Sequence, residues 1–174
     1  MSQNLHLRDQ RLVFYREDIR SINRLLREFL RLSGAKCVLL IDKEGHMVTK
    51  QGVTRSLDMD TISALVAGSF AATKEMARLL GEDEFSVLFH QGKTDNIQLS
   101  LVGNRTLLTV IFDEATTIGM VRLYANETAK KLGEQFEATM TRQATGGVPP
   151  GEAESIGESF GSDAHKNLDE LFGG

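Results

Sequence analysis

Apolar positions along the chain follow two periods, and the switches between them mark the elements. From about Phe14 to Leu32 they recur at Ile19, Ile22, Leu26, Phe29 and Leu30, the helical period, and Ser33-Gly34 supplies a stop. Lys36 to Asp42 (KCVLLID) is a near-continuous apolar run of strand length, which reads as a central strand covered on both faces. Lys43-Glu44-Gly45 is turn chemistry, and His46 to Lys50 returns as a shorter, more polar strand. Asp58 to Gly81 is helical, with Asp58 or Asp60 as N-cap and Gly81 closing it. Phe85 to His90 reads as a strand and Gly92 to Asn96 as a turn. In Ile97 to Val102 the residues Ile97, Leu99 and Leu101 alternate with Gln98, Ser100 and Val102, which predicts a half-buried antiparallel strand. Gly103-Asn104 is a two-residue hairpin signal, followed by the heavily apolar strand Arg105 to Phe112. The last helix spans Thr117 to Arg142, with the stripe Ile118, Val121, Ala125, Ala129, Leu132, Phe136, Met140.

The helix from Asp58 to Gly81 has two contrasting faces. At 100° per residue Ile62, Val66, Met76 and Leu80 fall together beside Thr73, the face expected to pack on a sheet. Ala64, Gly68 and Ala71 fall opposite, with Ala67 at the margin. A surface helix normally turns charge toward water; this one offers methyl groups and bare backbone. Small side chains let another backbone approach and lose little entropy on contact. Two readings stand: a helix buried on both faces within one subunit, or a docking surface for a second protein or a second copy.

Composition changes after Gln143. Residues 143–163 contain Gly-Gly-Val-Pro-Pro-Gly and an acidic, small and polar stretch, the signature of a disordered linker. The terminal segment 164–174 carries Leu168, Leu171 and Phe172 at i, i+3, i+4, the spacing of a helix-in-groove ligand. With an N-terminal extension over 1–13, this leaves one folded domain at 14–142. The net charge of −4 argues against general nucleic-acid binding. A single cysteine, Cys37, excludes an intramolecular disulfide and fits a reducing compartment. The polar, basic start is no secretory leader, and no run approaches the ~18 apolar residues of a membrane span. A soluble, cytoplasmic protein is expected.

Catalytic chemistry is hard to find. Gly92-Lys93-Thr94 lacks the first glycine of a phosphate-binding loop, since Val87 stands there, and a strand rather than a helix follows. The histidines (His6, His46, His90, His165) are scattered, and none stands at metal-ligand spacing from a cysteine or carboxylate. Asp113-Glu114 reads as a helix entry. The expectation is therefore no catalytic residue, no metal and no cofactor. Arg16, Arg20, Arg24, Arg27 and Arg31 share a narrow arc of the first helix. A solvated face is the default; an acidic partner, an anionic surface or the chain's own acidic tail are the alternatives.

The order helix, hairpin, helix, three strands, helix resembles that of the Roadblock / dynein-light-chain domain. The likeness is carried by KCVLLIDKEGHMV, LVAGSFAATKEMARLLGEDEF and NIQLSLVGNRTLLTVIFDEATTIGMVRL, and with the LDELF ending it is greatest for the family's bacterial polarity regulators, the MglB-like branch. The resemblance implies an α+β fold, a five-stranded antiparallel sheet with helices on both faces. It further implies a homodimer with sheets joined edge to edge and central helices side by side, two copies engaging one small Ras-like GTPase of the MglA type. Such a platform stimulates GTP hydrolysis by repositioning the GTPase's own arginine and glutamine, without an arginine finger. The positions that would bind the GTPase are Ala64, Ala67, Gly68, Ala71, Ala72 and Glu75. Leu168, Leu171 and Phe172 would form a second contact affecting binding or nucleotide exchange. A role in cell polarity and gliding motility, with enrichment at a cell pole, follows from the same likeness. A non-catalytic Roadblock scaffold and a ligand-sensing domain are the competing classes.

Overall fold

Residues 13–146 are described by the computed structural model. They form α1 (Arg16–Ser33), β1 (Cys37–Asp42), β2 (Met47–Gly52), α2 (Met59–Leu79), β3 (Val87–Gln91), β4 (Asn96–Val102), β5 (Thr106–Phe112) and α3 (Ile118–Ala144). Contacts divide the described chain into two compact units, residues 19–137 and residues 13–18 with 138–146.

In the larger unit the five strands form one antiparallel sheet in the order β2-β1-β5-β4-β3. The two most apolar strands, β1 and β5, take central positions, where both faces must be covered. On one face Cys37, Leu39, Ile41, Leu99, Leu107 and Ile111 pack against Met59, Val66 and Phe70 of α2. On the other, Thr49 lies opposite Leu40 and donates from Oγ1 to Asn23 Oδ1 at 2.6 Å, fixing α1 there. Thr116 Oγ1 donates to the Ser33 carbonyl at 2.6 Å, fastening the approach to α3 onto the end of α1. Ile22, Leu26 and Phe29, with Val121, Ala125 and Leu132, are buried as the cover of that face.

Two strand expectations need correction. Gln98 and Ser100 are buried, not solvated, because helices cover both faces of β4. Gln98 Nε2 donates to Ser100 Oγ at 3.3 Å, whereas Gln98 Oε1 has no partner among the described residues. The β4–β5 connection has three residues rather than two: Val102 pairs with Thr106, and Gly103 opens the loop at φ 61°, the left-handed region.

The smaller unit is organised around a buried carboxylate. Asp18 accepts from Arg142 Nη2 at 2.7 Å, from the Tyr15 N–H at 2.9 Å and from Thr139 Oγ1 at 3.3 Å. Gln143 Nε2 also donates to the Val13 carbonyl. Thr139 is therefore the buried position at this end of α3, and Met140, expected in the apolar stripe, is exposed. Helix α3 continues through Ala144, past the expected linker start at 143. The rest of the linker, the terminal triplet Leu168, Leu171, Phe172 and residues 1–12 lie outside the described residues. Among the described residues no helix is long and apolar enough to cross a membrane.

Candidate functional site

Helix α2 begins where its first turn finds an acceptor. Asp58 takes hydrogen bonds from the Thr61 N–H at 3.1 Å and from Thr61 Oγ1 at 2.7 Å, and they hold its carboxyl below the usual carboxylate range. At the other end the Gly81 N–H reaches the Arg78 carbonyl at 3.1 Å, with Gly81 at φ 81°, a conformation that costs glycine little.

Between these caps the helix sits rotated from the sequence-based expectation. Met59, Ser63, Val66, Ala67, Phe70 and Ala77 are buried; Met76 and Leu80, expected against the sheet, are 52% and 73% exposed. The cause is size and satisfaction. Phe70 and Met59 fill the core, and Ser63 can be buried because its hydroxyl donates to the Met59 carbonyl at 2.7 Å. The β1–β2 turn presses on the helix from one side: a Cβ on Gly45 would stand 3.1 Å from Ala64 Cα and 3.5 Å from Ala67 Cβ.

Of the six small or polar positions singled out, Ala64, Gly68, Ala71, Ala72 and Glu75 are exposed, while Ala67 is buried beside the turn. Among the described residues nothing lies within 4 Å of a Cβ placed on Gly68. Among the described residues nothing covers the opposite face of α2. Sequence reasoning missed how apolar this face is. Leu65 is 67% and Leu79 88% exposed, and with Ala72 they recur every seven residues. That heptad spacing was the available signal. Polar contacts border the face. Arg78 Nη1 donates to both carboxylate oxygens of Glu75, at 3.0 and 3.2 Å, and Lys43 pairs with Glu84 at 3.0 Å while sitting 5.5 Å from the Phe70 ring centroid. These groups can orient a partner but supply no nucleophile.

Two other places hold polar groups. Contrary to expectation, His46 does meet carboxylates: its Nδ1 is 3.1 Å from Asp42 Oδ2 and 3.6 Å from Glu44 Oε2, and the three residues' ligand atoms lie within 4.8 Å of one another. Their donor set would suit a divalent cation. Asp42 Oδ1 accepts from the Glu44 and His46 N–H groups at 3.0 and 2.8 Å, which accounts for the cluster as a closed turn. A cleft of about 540 Å³ opens where the β3–β4 turn meets the approach to α3, lined by Lys36, Phe89, Lys93, Asp95, Phe112 and Asp113 among others. Lys36 is engaged there, 2.9 Å from Asp95 and 3.7 Å from Asp113, and the Asp95 hydrogen bond pushes its pKa upward. Gly92-Lys93-Thr94 is a hairpin turn, closed by the Gly92 N–H to the Asp95 carbonyl at 3.1 Å.

Residues 21–112, which run from α1 to the end of β5, match the Roadblock/LC7 domain. The chain belongs to that family. Its Roadblock fold is similar to the gliding protein MglB of Thermus thermophilus, with 33% identity over 73% of this chain and 96% of that one and a TM-score of 0.69. It is similar to Myxococcus xanthus MglB, with 36% identity, 68% and 96% coverage and a TM-score of 0.66. A structure described as MglB with tetrameric arrangement matches at 33% identity, 74% and 96% coverage and a TM-score of 0.70. Among curated proteins none matches.

Proposed function

We propose that this Roadblock protein is a homodimeric regulator of a small Ras-like GTPase of the MglA type, stimulating GTP hydrolysis without contributing a catalytic side chain. The observation that carries the reading is the uncovered face of α2, apolar and small at Leu65, Gly68, Ala72 and Leu79. The likeness to MglB proteins at 33–36% identity supports it. In the proposed assembly the β3 edges of two copies join, since β3 is an edge strand with Phe89 exposed and edges of that kind invite pairing. The two α2 helices then lie side by side. Ala64, Gly68, Ala71, Ala72 and Glu75 meet the GTPase and reposition its own arginine and glutamine. Ala67 supports the surface from beneath. Leu168, Leu171 and Phe172 form a second, tethered contact that modulates binding or exchange. The cytoplasm, with enrichment at a cell pole, is the proposed location.

A Roadblock scaffold that dimerises and tethers cargo is the second reading, favoured by the absence of any activated side chain among the described residues of the α2 face. GTP hydrolysis by the cognate small GTPase, with and without this protein, decides between them. Acceleration supports the regulator; binding of the GTPase with an unchanged rate supports the scaffold.

A further inference from the structure

Within the larger unit Arg20, Arg24, Arg27 and Arg31 of α1 are exposed, in an arc of about 60° and over about 16 Å of helix. The arc stands opposite the buried stripe Ile22, Leu26, Phe29, so the four side chains project away from the sheet. Glu28 borders the arc, and no acidic residue falls inside it. Among the described residues none of the four guanidinium groups has an ion pair. A solvated helix face is steadied by opposite charges at i, i+3 and i+4, because those neighbours meet. Here the same spacings join Arg20 to Arg24, Arg24 to Arg27 and Arg27 to Arg31, and each pair repels. The chain keeps this row although its net charge is −4. Anions set against the row remove the repulsion, and the guanidinium fork fits phosphate oxygens in particular.

The neighbouring helix decides which anion. Helix α3 covers the same face of the sheet, and Thr116 Oγ1 fastens its approach to the Ser33 carbonyl at the end of α1. In the first two turns of α3, Met120 is 41% and Leu123 53% exposed. Leu123 lies opposite the buried stripe Val121, Ala125, Leu132, so it too points away from the sheet. Arg122 is exposed between them; farther along, Glu127 and Glu134 are balanced by Lys130 and Lys131. Guanidinium groups and large apolar side chains therefore leave one helical layer in one direction. A lipid surface takes up both, with phosphates outermost and acyl carbon just beneath, whereas a purely polar anion gains nothing from Leu123. Helix α2 packs on the opposite face of the sheet, so its exposed side stays accessible while this layer is engaged.

We infer that the outer surface formed by α1 and the start of α3 binds anionic phospholipid membranes, with Arg20, Arg24, Arg27 and Arg31 on the phosphates and Met120 and Leu123 among the outermost acyl carbons. The contact is peripheral and reversible, and it is independent of the GTPase reading. Co-sedimentation of the full chain with vesicles of phosphatidylserine and phosphatidylcholine in equal parts tests it, with pure phosphatidylcholine vesicles beside them. Expected is binding to the anionic vesicles alone, lost when salt is raised to about 1 M, where the Debye length is about 3 Å. Each basic side chain near such a surface contributes about fivefold in partitioning, so R20Q/R24Q/R27Q/R31Q should bind about 100-fold more weakly. Its melting temperature should be unchanged or raised, because the substitutions lie in solvent and relieve like-charge repulsion. Leu123→Glu should weaken binding several-fold at unchanged melting temperature. Failure of the intact chain to bind anionic vesicles overturns the inference and leaves the row to solvent or to an acidic protein. Equal binding by the folded glutamine variant overturns it by placing the membrane contact elsewhere, and unchanged binding by Leu123→Glu overturns the part assigned to α3.

Discussion

Asp18 and Arg142 stand 124 positions apart in sequence and 2.7 Å apart in space, with the Asp18 side chain 7% exposed. The carboxylate is the shared acceptor of a side chain, a hydroxyl and a backbone N–H. Asp18→Asn keeps the shape and removes the charge, leaving a partly buried guanidinium without its counterion. A loss of about 2–3 kcal/mol is expected. A chain of this size should then melt lower by about 2–4 °C per kcal/mol. An unchanged melting curve would show that the pair is dispensable.

Gly68→Arg and Ala71→Arg test the face of α2. No described residue stands within 4 Å of a Cβ on Gly68, so the new side chain points away from the core. Replacing glycine within a helix also favours it by a few tenths to about 1 kcal/mol. Expected is an unchanged or raised melting temperature with loss of GTPase stimulation. Full stimulation by a folded variant would place the partner elsewhere.

Leu65→Glu combined with Leu79→Glu separates self-association from folding. Both side chains are largely exposed in the single chain, so the monomer should tolerate the exchange. Light scattering should show a dimer for the unaltered protein at about 10 μM, a concentration suited to micromolar association, and a monomer for the double variant. A monomeric unaltered protein would remove the paired-helix arrangement.

The thiol of Cys37 should be inert. Burial pushes its pKa up to about 11, and only the thiolate is nucleophilic. Iodoacetamide at pH 8 should leave the native protein unmodified and alkylate it fully in denaturant. The linkage has a definite sign. The unfolded thiol releases its proton first as pH rises through its ordinary value, so stability falls from there until about pH 11. Rapid native alkylation would mean that the sheet opens locally.

Leu168→Ala, Leu171→Ala and Phe172→Ala together should leave dimer and melting temperature intact. They should weaken GTPase binding or change nucleotide release, because each lost side chain forfeits up to about 1.5–3 kcal/mol of burial. Identical affinity and release rates in the triple variant would leave the terminal peptide without a role.

Local pattern determined the elements of this protein. Period 3.6 along α1, the unbroken apolar run of β1, and the Asp58 and Gly81 boundaries of α2 are properties of neighbouring residues, so they could be read without knowing the fold. So could the small-residue face of α2, because a wheel needs only sequence. Tertiary structure decided which arc of that helix turns inward. Met76 and Leu80 are as apolar as any residue there, yet Phe70, Met59 and the pressing Gly45 turn fix the rotation that exposes them. It also decided the burial of Gln98 and Ser100, since an alternating strand becomes two-sided only when helices arrive on both faces. Asp18 is the clearest case. Nothing beside it in sequence announces a buried charge; Arg142, the group that makes its burial tolerable, comes from the far end of the described chain, and only folding brings that guanidinium within hydrogen-bonding distance.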